Sequence, residues 1–170
     1  IVVIKSTVLP GTTDILQEEY PDIYLMHSPE FLRAVTAKED AAHPHRNIVG
    51  YTNKSKGRAQ EVLDILPKAE YSRTTPVKNA EMIKYMGNVF LAQKVLFANC
   101  MHDVASKIGA DYDVIQEAVG ADPRIMPGHL AISHDGGRGA GGYLISRSRS
   151  HSKLCTDRGS DSPNHHPPQR

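Results

Sequence analysis

"VKNAEMIKYMGNVFLAQKVLFANCMHDVASKIG", residues 77–109, decides how the rest of the chain is read. Ile83, Met86, Phe90, Phe97, Val104 and Ile108 recur in it at steps of three, four or seven. That is the period of one helix face, and a stripe this long predicts a long helix with that face buried. "GADYDVIQEAVG", residues 109–120, adds a second helical pattern, with Asp111 before it and a glycine on either side, as caps require. Residues 77 to about 120 are therefore expected to be helical.

Upstream the pattern changes. "IVVIKST" (1–7), "IYLMHSP" (23–29) and "RNIVGYT" (46–52) read as strands, and "SKGRAQEVLDIL" (55–66) reads as a helix before "AEYSRTT" (69–75). Strands alternating with helices predict βαβ units and a parallel sheet. Pro10, Gly11, Pro29 and Pro44 punctuate the strand ends. Downstream, from Tyr143, the only apolar side chains of any size are Leu144, Ile145 and Leu154. Ordering a backbone costs roughly 1–2 kcal/mol per residue, which so polar a segment cannot offset, so 143–170 is expected to be disordered.

The 170 residues carry a formal net charge of +1. That length suits one ordinary domain, or one small domain with pieces of another. So balanced a charge gives no reason to expect a nucleic-acid partner for the whole chain. Cys100 and Cys155 make no disulfide framework, and neither they nor the histidines show metal-ligand spacing. No metal is expected, and a reducing cytoplasm is the default location. No apolar run approaches the roughly 18–20 residues that span a bilayer, so no membrane partner is expected. The chain opens without methionine inside a strand-like run, and it is expected to be a piece of a longer protein.

Several residues suit chemistry. "STVLPGTTD" places Ser6 and Thr7 at the carboxyl end of a strand, before a Pro-Gly turn and Thr12-Thr13-Asp14 leading into a helix. Ligands of open α/β sheets bind at that edge, where hydroxyls and helix N-termini meet phosphate or ribose. The same residues also make an ordinary helix cap. In "HSPEFLR", Glu30 sits just past a strand end, where a carboxylate holds or activates water, or is simply solvated. Lys84 and Asn88, four apart, share one helix face. They suit stabilisation of a developing oxyanion, or equally a snorkelling Lys beside a surface Asn. Arg124, in the turn after the second helix, reaches an anion or lies in solvent. Asp135 and Arg138 beside the glycine turn are equally open.

Taken in order, "IKSTVLPGTTD", "SPEFLR", "HPHRNIVGYT", "AEMIKYMGNVFLAQKVLFAN", "GADYDVIQEAVGADPRI" and "GGRGAGG" resemble the UDP-glucose/GDP-mannose dehydrogenase family over residues 1 to about 142. The resemblance implies an α/β fold: the C-terminal part of a Rossmann-type NAD-binding domain (1–76), an all-helical central dimerisation domain (77–142) and a disordered tail outside the family (143–170). It implies NAD as cofactor, a homodimer through the long helix 77–108, and oxidation of a nucleotide-sugar hydroxymethyl to a carboxylate in two NAD-dependent steps. A UDP-sugar is favoured over a GDP-sugar. Ser6 and Thr7 then match residues near the cofactor, Thr7 also near the catalytic water. Glu30 matches the glutamate of the hydrolytic steps, and Lys84 with Asn88 matches the pair that stabilises oxyanionic intermediates. Phe31, Leu32 and Arg33 fall in the loop that follows the substrate, although the glutamate common at the position of Ala34 is missing. Arg124 matches an arginine that in some members reaches the partner subunit's substrate. Gly139, Gly141 and Gly142 belong to the loop before the nucleophile.

The pattern then breaks. The family continues with a Cys that forms a thiohemiacetal and then a thioester, followed by Lys and Asp. Here "YLISRSRS" follows, with Leu144 in the place of the Cys and neither Lys nor Asp after it. Cys155, eleven residues on, has no family match. The Rossmann phosphate loop is missing as well. The resemblance therefore implies an inactive, frame-shifted piece of a dehydrogenase. The alternatives are a non-catalytic dimerisation module of the same family, and a nucleic-acid binder through its Arg/Ser/His tail. The tail's few aromatics and mixed charge speak against the last.

Overall fold

A computed structural model describes residues 1–33 and 36–132. The expectations for Ala34 and for the glycine loop and tail from residue 133 onward lie outside the described residues. The chain divides into two compact units, Ile1–Gly87 and Asn88 onward.

The first unit is a four-stranded sheet with helices. The strands are β1 (Val2–Ile4), β2 (Leu25–His27), β3 (Arg46–Tyr51) and β4 (Tyr71–Pro76), in the spatial order β1-β2-β3-β4. The helices are α1 (Thr12–Glu19), α2 (Ala37–Ala42), α3 (Ala59–Ile65) and the start of α4 (Val77–Ile108). The three strands read from the sequence are present and Tyr71–Pro76 adds a fourth, but the sheet is mixed. β1 pairs with β2 and β3 with β4 in parallel, whereas β2 and β3 run antiparallel. A parallel neighbour needs a crossover, usually helical, that carries the chain back to its starting edge. α1 and α3 fall in the two parallel connections. Among the described residues of the β2–β3 connection the six-residue α2 is the one helix, and β3 returns in the opposite direction.

Met26, Val49, Ala59 and Val62 form the core of this unit, with Val3, Tyr51, Leu63 and Leu66 packed against it. Gln17 ties α1 to the sheet. Its amide donates to the carbonyls of Tyr20 and Ile23, and its oxygen accepts from the Leu25 N–H and the Thr52 hydroxyl. At Gly50 a Cβ would stand 2.5 Å from the Ala80 Cβ and 3.0 Å from the Val77 Cα. β3 thus carries a glycine where α4 comes down on the sheet.

The second unit contains the rest of α4 and α5 (Tyr112–Gly120). α4 ends at Gly109, whose φ is +71°. The Ala110 N–H bonds to the Ala105 carbonyl and the Gly109 N–H to that of Ser106, the pairing of a Schellman cap. Asp111 caps α5, its carboxylate accepting from the backbone N–H groups of Asp113 and Val114. Both caps are as expected. The stripe is not: Met86, Phe90, Phe97, Val104 and Ile108 are exposed, Ile108 by 73%. The buried positions of α4 are Val77, Ala80 and Glu81 in the first unit, then Ala92, Val95, Ala98 and Ala105 in the second. Small side chains give the closest approach, so the face that packs within this chain is the one with the least apolar volume.

Candidate active site at the carboxyl ends of β1 and β2

The parallel pairing of β1 with β2 puts Ile4 opposite His27. Thr7 and Glu30 each follow by three residues and so leave the sheet at the same edge. The Ser28 N–H donates to the Ile4 carbonyl at 2.9 Å, holding the two exits together. Ser6 is exposed and Thr7 half-buried. Lys5, a residue the sequence did not single out, reaches across. Its ammonium lies 2.8 Å from a Glu30 carboxylate oxygen and 3.3 Å from the Ser28 hydroxyl. Both partners of this ion pair are partly exposed, so it positions Glu30 more than it stabilises the fold.

Phe31 gathers the cations. The Arg46 guanidinium stands 3.9 Å from its ring centroid and the Lys84 ammonium 5.4 Å from it, both within cation–π range. A cleft of about 480 Å³ opens beside them, lined in part by Lys5, Glu30, Phe31, Leu32 and Arg46. Lys84, far away in sequence, is thus brought beside Phe31, the neighbour of Glu30. Asn88 stands one turn beyond Lys84 on α4.

The two arginines are engaged with carboxylates. Arg33 forks onto Asp40 at 2.7 and 3.1 Å, and its own backbone N–H donates to the same carboxylate. These bonds hold the Asp40 carboxyl well below the usual carboxylate range. Arg124, in the second unit, folds back onto Asp122 at 2.6 Å and lowers the pKa of that carboxyl in turn. Each spends one edge of its guanidinium on its own neighbour.

The N-terminus of α1 is also taken. Gly11, with φ +99°, occupies the cap position and supplies no side chain. The buried Glu81 carboxylate of α4 does the capping instead. It accepts from the Gly11 N–H at 2.6 Å, the Thr13 N–H at 2.9 Å and the Thr13 hydroxyl at 2.6 Å. The local Ser/Thr/Asp cap expected from "TTD" is replaced by one supplied from α4. This bears on the cofactor. The Gly11 and Thr13 N–H groups are spent on this carboxylate and are not open to a pyrophosphate, whereas the hydroxyls of Ser6 and Thr7 at the same edge would suit the polar parts of NAD.

His27 is the remaining surprise. It is fully buried, and among the described residues neither ring nitrogen makes a well-formed hydrogen bond, although the Ile4 backbone lies near enough to favour its charged form. Burial pushes its pKa down, while the neighbouring Glu81 charge partly opposes this. Among the described residues no cluster of His, Cys, Asp and Glu is arranged to hold a metal, and no helix is long and apolar enough to cross a membrane.

Comparison with known proteins meets this geometry. Residues 1–66 match the NAD binding domain of the UDP-glucose/GDP-mannose dehydrogenase family, and residues 78–151 match the central domain of the same family. The UDP-glucose 6-dehydrogenase of Rhizobium meliloti is 38% identical over 136 residues, covering 74% of this chain and 31% of the relative. The solved UDP-glucose dehydrogenase of the archaeon Pyrobaculum islandicum superposes with a TM-score of 0.68 at 31% identity, over 91% of this chain and 37% of that one. The GDP-mannose dehydrogenase of Pseudomonas aeruginosa, solved as a ternary complex, gives 0.60 at 27% identity, over 92% and 38%. The chain therefore spans about a third of the length of these relatives. NAD is the cofactor that goes with the matched N-terminal domain. The chain belongs to the UDP-glucose/GDP-mannose dehydrogenase family, the NAD-dependent nucleotide-sugar oxidoreductases.

Proposed function

We propose that this chain is part of a cytoplasmic UDP-sugar 6-dehydrogenase, comprising the end of the NAD-binding domain (1–76) and the central dimerisation domain (77–142). The observation that carries the reading is the meeting of Glu30, Phe31 and Lys84 beside the carboxyl ends of β1 and β2. In the complete reaction the C6 hydroxymethyl loses two hydrides in turn, for which bound NAD would be the acceptor. Lys84 and Asn88 stabilise the negative oxygen that develops at C6. Glu30, with Thr7, holds the water that opens the thioester, and Lys5 keeps the Glu30 carboxylate oriented. Phe31, Leu32 and Arg33, with Gly139, Gly141 and Gly142, follow the sugar nucleotide. Ser6 and Thr7 lie towards the cofactor, and Arg124 serves the partner subunit's site once freed from Asp122.

Leu144 cannot supply a thiolate, so this chain does not complete that sequence. Low-complexity residues begin at once where the nucleophile motif should stand, which favours a reading-frame shift over gradual loss. Incubation of the purified chain with UDP-glucose and NAD is expected to yield no NADH, and steady NADH formation would overturn the reading. Resequencing the gene across the codons for 141–158 decides its cause. One inserted or missing base that restores Cys, Lys and Asp marks a shift; an unchanged sequence marks a relative that has lost its chemistry.

The exposed apolar face of α4 favours one further element, a homodimer through helix 77–108. Phe90, Phe97 and Ile108 are each more than half exposed, and a contiguous apolar face of this kind marks an interaction surface.

A further inference from the structure

Glu81 is a buried carboxylate for which neither the family resemblance nor the chemistry above has a use. Its three hydrogen bonds all go to the turn between β1 and α1, at Gly11 and Thr13. That turn follows Ser6 and Thr7 directly. No side chain within the turn competes for the work. Gly11 has none, and the Thr12 hydroxyl donates instead to the Leu9 carbonyl at 2.7 Å. Asp14 faces Lys78 at 3.5 Å, a second and weaker tie between the same two segments.

On α4, Glu81 precedes Lys84 by three residues and Asn88 by seven, so the three share one face. Whatever sets the rotation of α4 about its axis at Glu81 also sets the direction of Lys84. Two contacts divide that task. The absence of a side chain at Gly50 lets Ala80 approach β3 and fixes the depth of the helix. Directional bonds fix its rotation, and the Glu81 carboxylate makes three, the buried ones; Asn79 to Thr75 and Lys78 to Asp14 are more exposed ties.

We propose that Glu81 is a positioning residue, whose carboxylate locks the Thr7-bearing turn to α4 and thereby aims Lys84 at the Phe31 side of the cleft. The proposal rests on the roles assigned above to Thr7 and Lys84. Its test reads geometry rather than turnover, so that its failure stays separate from theirs.

The test is solution NMR of the full chain with two variants, each checked for a cooperative melt. Glu81→Gln keeps the shape but turns an amide NH₂ toward backbone donors. Thr13→Val removes only the hydroxyl donor and leaves the carboxylate and both backbone bonds. The expected result for Glu81→Gln is an upfield move of the Gly11 and Thr13 amide protons, together with loss of the nuclear Overhauser contact between the Lys84 side chain and the Phe31 ring. Thr13→Val is expected to weaken that contact without abolishing it. Amide protons unmoved in Glu81→Gln would show that the clamp is not formed. Moved amides with an intact Lys84–Phe31 contact would reduce Glu81 to a helix cap, and the proposal would fall. Should Glu81→Gln not fold, Thr13→Val decides alone: a weakened contact supports the proposal and an unchanged one overturns it.

Discussion

In the unit Ile1–Gly87, the buried side chains include Thr13, Ser28, Thr52, Ser55 and Glu81, and each is hydrogen-bonded. In the unit from Asn88, Ala92, Val95, Ala98 and Ala105 are buried, while Phe90, Leu96, Phe97, Ile108 and Val114 are each more than half exposed. The first pattern belongs to a unit whose polar network specifies one arrangement of loops, because a buried polar group without its partner is costly. The second belongs to a helical unit whose buried side chains are small and apolar; large exposed apolar side chains occur in both units, Ile15, Ile65 and Met86 among them in the first. The proposed site residues Thr7, Glu30 and Lys84 lie in the first, and most of the exposed stripe of α4 lies in the second.

That contrast can be broken in several places. The largest effect is expected at Gly50→Val, which drives a branched side chain against Ala80 and the Val77 backbone. Overpacking of this kind costs about 3 kcal/mol, read as a lower urea midpoint for the first unit. A loss under about 1 kcal/mol would mean that α4 backs away from β3 freely. Next comes the double variant Phe90→Glu/Phe97→Glu. It is expected to weaken self-association at least tenfold, about 1.4 kcal/mol, in sedimentation equilibrium, with helicity unchanged. A parent chain already monomeric at high concentration would remove the second half of the contrast.

Asp111→Ala is smaller and local. Loss of the α5 cap costs about 1 kcal/mol and should raise amide exchange in residues 112–115 without touching the sheet. The smallest effect concerns His27. Its folded pKa lies below the ordinary 6.5, so between the two values the unfolded chain binds the proton and the folded chain does not. The corresponding stability is fully present above pH 6.5 and declines as the pH falls toward the folded value. His27→Gln should flatten that decline in thermal melts taken from pH 7 to pH 5. An unchanged slope would place the acid sensitivity elsewhere.

The long helix, the cap that ends it, the cap that starts α5, the first three strands and the membership of the family were legible in residues close together in sequence. Helix period, the Gly109 and Asp111 caps and strand alternation are local signals. The antiparallel β2–β3 pairing was not legible, because a stretch containing Pro29, Pro44 and a short helix leaves the direction of the next strand open. The exposed stripe was misread for a related reason. Periodicity says which residues share a face, and burial depends on what that face meets. Lys5, Arg46 and Glu81 were passed over because each looks like an ordinary charged residue until β1, β3 and α4 bring it beside its partner.

By itself, then, the sequence determined the helical and strand elements and the family, since propensity and motif order are properties of the chain as written. Only the tertiary structure decided which helix face is covered, that the N-terminus of α1 is closed by Glu81, and that Glu30 and Lys84 meet about Phe31. These are relations between residues tens of positions apart, and burial, hydrogen bonding and charge acquire their energies only when the fold has set the distances.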